Sequence, residues 1–325
     1  MSQKKIVFHD NSLTERGTSN AVYDYAYWCR EYFDLDPVIC YDLKYQNNPD
    51  TVIRFSKEFN TVGYNDFLEV QKIVDTIQSD YFYAIKYGEQ DNIVVNGTKN
   101  LIHSVFNVNP VHAHGDVYAV VSEWQTYKSN GHLPYVPHML TPCEDVSDLR
   151  QELGIPKSAT VVGRYGAYDT FDLDFVIRSI EKALTRRPDL WFIFLNTEKK
   201  INHERCIYLD KTVDTKRKFE FINTCDAMLH GRSYGETFGL SVLEFAAMNK
   251  QIISYDNFEL QTSHPLGGRN HFLFLNDQCF KFTSENDLGY LLMYLTKKNP
   301  FNTAFLKDKF SPKKVMDIFN RVFLN

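Results

Sequence analysis

Lys5-Ile-Val-Phe-His9 and Pro37-Val-Ile-Cys-Tyr41 are short apolar runs of the length of a buried strand, and one stretch of helical spacing lies between them. In that stretch, Ala21 to Phe33, the apolar residues Val22, Tyr25, Ala26 and Cys29 form a stripe, and Ser19 or Asn20 stands where a cap belongs. Strand, loop, helix and strand within about 40 residues make a βαβ unit, which predicts a parallel sheet with ligands at the carboxyl ends of its strands.

The alternation continues along the chain. Phe67 to Ile77 reads as a helix, and Tyr81 to Ile85, Asn100 to Phe106 and Val117 to Val121 read as strands. Pro134, Pro137 and Pro142 then interrupt regular structure, so the domain link is placed there. Beyond it the same rhythm restarts. Val146 to Leu153 is expected to be a short helix ended by Gly154 and Pro156. Ala159 to Gly163, Leu190 to Leu195, Cys206 to Leu209, Ala227 to His230 and Gln251 to Ser254 are expected strands. Leu173 to Thr185, Lys216 to Asn223 and Leu240 to Met248 are expected helices, and Ser311 with Pro312 opens a last one. The expected architecture is α/β: two doubly wound domains, residues 1–140 and 141–310, facing each other across a cleft, followed by a helix over 311–325.

Composition removes several function classes. Hydrophobic residues are 43% and charged residues 24% of the 325, an ordinary globular balance. No apolar run approaches the roughly 20 residues of a membrane span, and the apolar run behind Met1 to Lys5 is too short for a secretory signal, so a cytoplasmic protein is expected. A net charge of −5 disfavours a nucleic-acid partner, although Lys211, Lys216, Arg217 and Lys218 could line a local basic groove. The six cysteines show no Cys-x-x-Cys spacing and read as buried thiols. The 25 Phe and 20 Tyr exceed what a core of this size needs, so some are expected in a cleft or between the domains.

The most informative stretch is 226–254, Asp-Ala-Met-Leu-His-Gly-Arg-Ser-Tyr-Gly-Glu-Thr-Phe-Gly-Leu-Ser-Val-Leu-Glu and onward to Ile-Ile-Ser. It reads strand, loop, helix, strand, with Glu236 in the loop and Glu244 inside the helix. Gly235 and Gly239 allow close approach of backbone to a ligand. The amides of Phe238, Gly239 and Leu240 lack intrahelical partners and sit at the positive end of the helix, a setting suited to a diphosphate. Glu244 can take two vicinal hydroxyls, as a ribose offers them. Asn249 is placed to end the helix in the left-handed region.

Glu236 through Glu244 resembles the Glu-x7-Glu signature of retaining glycosyltransferases of the GT-B fold, most like glycosyltransferase family 4, and the likeness extends over the Phe-Gly-Leu core. It implies two Rossmann-like domains, a nucleotide-sugar donor (UDP- or GDP-linked) held by the second and a glycan or other hydroxyl acceptor by the first. It also implies that the C-terminal helix packs back on the first domain. Glu236 and the amides of Phe238, Gly239 and Leu240 would then hold the donor sugar, and Glu244 the ribose. Val161-Val162-Gly163-Arg164 resembles the family strand ending in Gly-Arg, whose arginine meets the donor phosphates, so Gly163 and Arg164 join the donor side. The family lysine five residues later is Asp169 here, and Arg232 is the cation expected to replace it.

The resemblance also makes Gly17 and Thr18 candidates, in the loop after the first strand, and His103 a candidate near the transferring sugar. His112-Ala-His114-Gly-Asp116 reads as a hydrogen-bonded loop rather than a metal site, because no second cluster of ligands accompanies it. The chain has no Gly-x-Gly-x-x-Gly fingerprint, which argues against a nicotinamide dehydrogenase. The expected activity is retaining, metal-independent transfer needing no cofactor. The resemblance implies a front-face displacement in which the departing phosphate helps deprotonate the acceptor, with Arg164 stabilising that phosphate and Glu236 positioning the sugar. The alternatives are a nucleotide-sugar epimerase or hydrolase on the same scaffold, a catalytically silent nucleotide-sugar-binding protein, and transfer to a nucleic-acid base.

Overall fold

A computed structural model describes residues 3–141, 143 and 145–325, so the expected link residue Pro142 lies outside the described residues. The chain divides into two compact units, Met1–Thr141 with Phe310–Asn325, and Pro142–Lys309.

In the first unit, β1 (Lys4–Asp10) leads into α1 (Gly17–Phe33), β2 (Leu35–Asp42), α2 (Pro49–Glu58), β3 (Asn60–Tyr64) and α3 (Phe67–Ile77). β4 (Tyr81–Lys86), β5 (Lys99–Ser104), β6 (Val117–Val120) and α4 (Glu123–Lys128) complete it. All neighbouring strands are parallel, in the order β3-β2-β1-β4-β5-β6. Helices on both faces explain why β1 is buried without interruption from Ile6 to Asp10, as parallel strands covered on both sides must be.

The second unit contains β7 (Thr160–Tyr165), α5 (Asp174–Arg186), β8 (Leu190–Leu195), β9 (Cys206–Leu209), α6 (Thr215–Thr224) and β10 (Ala227–His230). β11 (Gly235–Glu236), α7 (Leu240–Ala247), β12 (Gln251–Tyr255), α8 (Phe258–Ser263) and β13 (Gly268–Arg269) follow. α9 (Asn270–Leu275), β14 (Phe280–Phe282), α10 (Glu285–Tyr294) and α11 (Phe305–Lys309) end the unit. Its main sheet runs β9-β8-β7-β10-β12-β14, also parallel throughout, while β11 and β13 form a separate pair. Counted from each unit's own first strand, both sheets follow the third-second-first-fourth-fifth-sixth order. The winding therefore reverses between β1 and β4, and between β7 and β10, which opens a crevice at the carboxyl ends of those strands.

The C-terminal helix α12 (Pro312–Phe319), continued by one π-helical turn over Asn320–Leu324, belongs to the core of the first unit. Phe319 and Phe323 are fully buried, with ring centroids 5.2 Å from Tyr25 and 5.7 Å from Tyr83 respectively. Burial of each such ring is worth roughly 1.5–3 kcal/mol.

Four expectations need correction. Val146 to Leu153 forms turns, not a helix. The Asp148 carboxylate accepts from the Arg150 amide at 2.9 Å, a local turn that competes with helix, and the Arg150 guanidinium ties the segment to Asp226 and to the Ala159 carbonyl. Helix α1 begins four residues early, at Gly17, so Ser19 is not its cap; the Ser19 hydroxyl instead donates to Asp10 at 2.8 Å. Helix α2, capped by Asn48, and strand β3 were not anticipated. Pro134 and Pro137 sit inside the first unit, their carbonyls accepting from the Val120 amide and the Tyr25 hydroxyl, so the link narrows to the end of the expected segment, where the units divide between Thr141 and Pro142.

Candidate active site

The crevice of the second unit is bounded by the ends of β7, β10 and β12. His230 and Ser254 are partners in the register of β10 and β12, and the His230 Nδ1 and Ser254 Oγ atoms lie 3.0 Å apart. After β10 the chain turns through Gly231 to Tyr234, where the Ser233 amide and hydroxyl both donate to the Asp172 carboxylate, at 2.9 and 2.5 Å. It then enters β11, which pairs with β13. A Cβ on Gly235 would lie 2.3 Å from the Gly268 carbonyl oxygen, and one on Gly268 would lie 2.3 Å from the Glu236 carbonyl oxygen. Only two facing glycines allow this approach, and it fixes where Glu236 emerges.

The Glu236 carboxylate is gripped at both oxygens. Oε1 is 3.0 Å from His230 Nε2, and Oε2 accepts from Arg232 Nη1 at 2.8 Å. Burial pushes its pKa up, but the Arg232 guanidinium, first, and the hydrogen bond to His230 lead the interactions that hold it well below the usual carboxylate range. Glu236 is therefore an ionised acceptor.

Gly239, at φ 96°, caps helix α7 with no side chain on the helix end and no acidic residue in the first turn. A Cβ there would come 3.2 Å from the Cβ of Glu236 and 3.3 Å from that of His271. Phe238 is buried, and its carbonyl accepts from Asn270 Nδ2 at 3.0 Å; Leu240 is half-buried at the first helical position. Asn249, at φ 58°, follows the helix. Glu244 lies on α7 with 4% exposure. Its Oε1 accepts from Lys218 Nζ at 2.5 Å, while its buried Oε2 has no partner. A buried carboxylate oxygen without a donor is costly, and a hydroxyl-bearing ligand would satisfy it.

Several sequence candidates sit differently. Arg164, expected to face donor phosphates, lines the same pocket as His230, Arg232 and Glu236, but it is 5% exposed and its guanidinium is engaged within its own unit. Nη1 donates to Thr197 Oγ1 at 2.6 Å and to the Asn196 carbonyl at 3.3 Å, and Nη2 to Thr170 Oγ1 at 2.7 Å and the Ala167 carbonyl at 2.9 Å. Burial, partly offset by Glu236, lowers its pKa to about 10. Arg164 ties the loop after β7 to the loop after β8, and Arg232 is the arginine paired with Glu236.

Gly163 does not make room for a donor. A Cβ on it would lie 2.3 Å from Cys225 Sγ and 3.2 Å from the Phe245 ring, so it is a packing glycine. His103 is fully buried in the first unit. Its Nδ1 is 2.6 Å from the Tyr83 hydroxyl and its Nε2 3.0 Å from the Val136 carbonyl, and burial lowers its pKa to about 4. A neutral imidazole with both nitrogens engaged in a core is structural, not catalytic. Gly17 and Thr18 open α1 in the first unit, where no side chain caps the helix.

In the His112–Asp116 loop, His114 Nδ1 lies 2.7 Å from the His112 carbonyl, and Asp116 accepts from the Asn100 amide at 2.7 Å. Among the described residues no group of three or more His, Cys, Asp or Glu side chains is placed to hold a metal ion. Arg217 pairs with Glu152 and Lys218 with Glu244, which neutralises part of the expected basic groove. Sequence reasoning missed the Glu236–His230–Ser254 chain, although His230 and Ser254 are the last residues of two expected strands.

The topology and the two crevices define the fold of the GT-B glycosyltransferases. HepE from Anabaena, in complex with UDP-glucose, is similar to this chain with TM-score 0.68 and 14% identity, over 98% of both chains. WaaG, a glycosyltransferase involved in lipopolysaccharide biosynthesis, is similar with TM-score 0.64 and 12% identity, over 96% of this chain and 99% of WaaG. A putative UDP-N-acetylglucosamine 2-epimerase from Listeria monocytogenes is also similar, with TM-score 0.59 and 8% identity, over 98% of this chain and 96% of that one. No protein-family model matches the chain, and no curated protein matches it by sequence. Among the described residues no helix is long and apolar enough to cross a membrane.

Proposed function

We propose that this protein is a retaining, metal-independent glycosyltransferase that takes a sugar from a nucleotide-sugar donor to an acceptor hydroxyl, with the donor in the crevice of the second unit. The observation that carries the reading is the pairing of an uncapped α7 N-terminus with the unpartnered Glu244 Oε2 four residues further along the same helix. The first suits a diphosphate, and the second suits a ribose hydroxyl. Glu236, ionised and held on both sides, accepts from hydroxyls of the donor sugar. Arg232, beside it, stabilises charge on the departing phosphate, the part that the sequence resemblance gave to Arg164 and to a lysine where Asp169 stands. HepE, whose fold is similar, binds UDP-glucose, which makes UDP the first nucleotide to test.

The test is calorimetric titration with UDP, GDP and UDP-glucose. Binding of a nucleoside diphosphate that is lost in Glu244→Ala supports the reading, and no binding of any of the three overturns it. An epimerase is the second reading, because a putative 2-epimerase shares the fold. Incubation with UDP-N-acetylglucosamine alone separates the two: rapid formation of an epimer without acceptor favours the epimerase.

A further inference from the structure

Behind Glu236 runs a buried chain of three side chains that donor contact alone does not require. His271 Nε2 lies 3.1 Å from Ser254 Oγ, Ser254 Oγ lies 3.0 Å from His230 Nδ1, and His230 Nε2 lies 3.0 Å from Glu236 Oε1. Ser254 and His271 are fully buried and His230 is 5% exposed. The groups come from three elements: the ends of β10 and β12, which are register partners, and helix α9.

We propose that Ser254 and His271 are positioning residues that fix His230 as its Nε2–H tautomer, so that His230 holds Glu236 in the orientation that reads the donor sugar. The idea rests on the reading of Glu236 given above.

Two observations set the direction of the chain. A carboxylate accepts and never donates when ionised, so the nitrogen facing Glu236 must carry the proton. At the other end, His271 Nδ1 is buried without a partner, which suits a bare lone pair far better than an N–H. With His230 neutral, one arrangement satisfies every link: His271 Nε2–H donates to Ser254 Oγ, the Ser254 hydroxyl donates to His230 Nδ1, and His230 Nε2–H donates to Glu236. Reversed, the chain would set a nitrogen lone pair against a carboxylate and bury an N–H with no acceptor. A longer contact of 3.4 Å from the Ser254 hydroxyl to the Tyr255 carbonyl competes weakly. Burial lowers the His271 pKa well below its usual value, consistent with a neutral ring. Because His271 Nδ1 leads nowhere, the chain orients and does not conduct protons.

The test has two arms on the full chain. In ¹⁵N-histidine NMR, with signals assigned from His230→Gln and His271→Gln, the wild type should show His230 and His271 each protonated at Nε2 and bare at Nδ1. A proton on Nδ1 of His230, alone or together with one on Nε2, overturns the proposal whatever the protein binds. In titration, Ser254→Ala should weaken UDP-glucose about tenfold, or about 1.4 kcal/mol, and leave UDP unchanged. His271→Leu should do the same, and His271→Gln, which keeps an N–H at the Nε2 position, should restore affinity. Equal weakening of UDP and UDP-glucose, or no rescue by His271→Gln, means the chain is merely structural. If the wild type binds neither compound, the donor reading fails, and the NMR arm alone decides whether the tautomer is fixed.

Discussion

At the switch point of the first unit, β1 ends in His9 and Asp10, and at that of the second, β7 and β10 end around Arg164 and His230. In the first, His9 Nε2 lies 2.6 Å from the Tyr64 hydroxyl, Asp10 takes the Ser19 hydroxyl, and Lys86 Nζ donates to Asp91 at 2.5 Å. Burial raises Asp10 to about 7 against the hydrogen bonds that lower it, and burial lowers His9 to about 3. In the second, the Arg232 guanidinium and the hydrogen bond from His230 lead the interactions that hold the buried Glu236 far below its usual range, and Glu244 keeps an oxygen open. The same strand order thus serves two crevices. In the first, burial pushes His9 and Asp10 toward their neutral forms, although His9 Nδ1 stays without a partner; in the second, a carboxylate is kept charged and an acceptor spare. Topology supplies the place, and charge compensation decides which place binds an anion.

That contrast can be broken or sharpened by mutation. The largest effect is expected from Phe319→Ala, which opens the aromatic core of the first unit and should cost about 3–5 kcal/mol in denaturant unfolding. UDP binding by the molecules that remain folded should be unchanged. Next is Asp10→Asn. The folded pKa of Asp10, about 7, exceeds the ordinary 3.8, so the wild type is most stable below the ordinary value and loses stability as pH rises through about 7. The Asp10→Asn substitution should therefore raise stability at pH 8 by roughly 2–4 kcal/mol, three pKa units at about 1.4 kcal/mol each being the ceiling, with no gain at pH 3. A flat difference across pH would show that folding leaves the Asp10 pKa at its ordinary value.

Arg164→Ala should destabilise by about 2–3 kcal/mol, because it orphans acceptors in the loops after β7 and β8. Arg232→Ala should weaken UDP-glucose binding far more than Arg164→Ala does, with some loss of stability from unpairing Glu236. The reverse pattern would return the phosphate contact to Arg164. The smallest effect is expected from Gly163→Ala, about 1–3 kcal/mol of overpacking against Cys225, relieved by Cys225→Ala in the double variant. A loss of nucleotide affinity unrelieved by Cys225→Ala would make Gly163 a donor residue after all.

The sequence carried the alternation of strands and helices well, because parallel strands covered on both faces are written as unbroken apolar runs such as Ile6 to Phe8. The start of α1 was hidden, since Gly17 to Asn20 are polar and face no apolar stripe. Glu236 and Glu244 were legible from their spacing around Gly239. The partners that set their chemistry were not: His230 and Ser254 are 24 residues apart, Ser254 and His271 are 17 apart, and Lys218 and Glu244 are 26 apart. Arg164 and His103 show the converse case. A residue type expected at a site gives no sign of whether its polar atoms are already engaged by neighbouring hydroxyls and carbonyls, and in both they are.

The docking of α12 into the first unit bears on how the molecule is made. Residues 310–325 emerge from the ribosome only after every residue of the second unit. Until then Tyr25 and Tyr83 lack the rings of Phe319 and Phe323, and the nascent first unit carries an uncovered aromatic face while residues 142–309 are translated. The unit that begins first is thus the one whose core is completed last, and in that interval its aromatic face is open to non-native contacts.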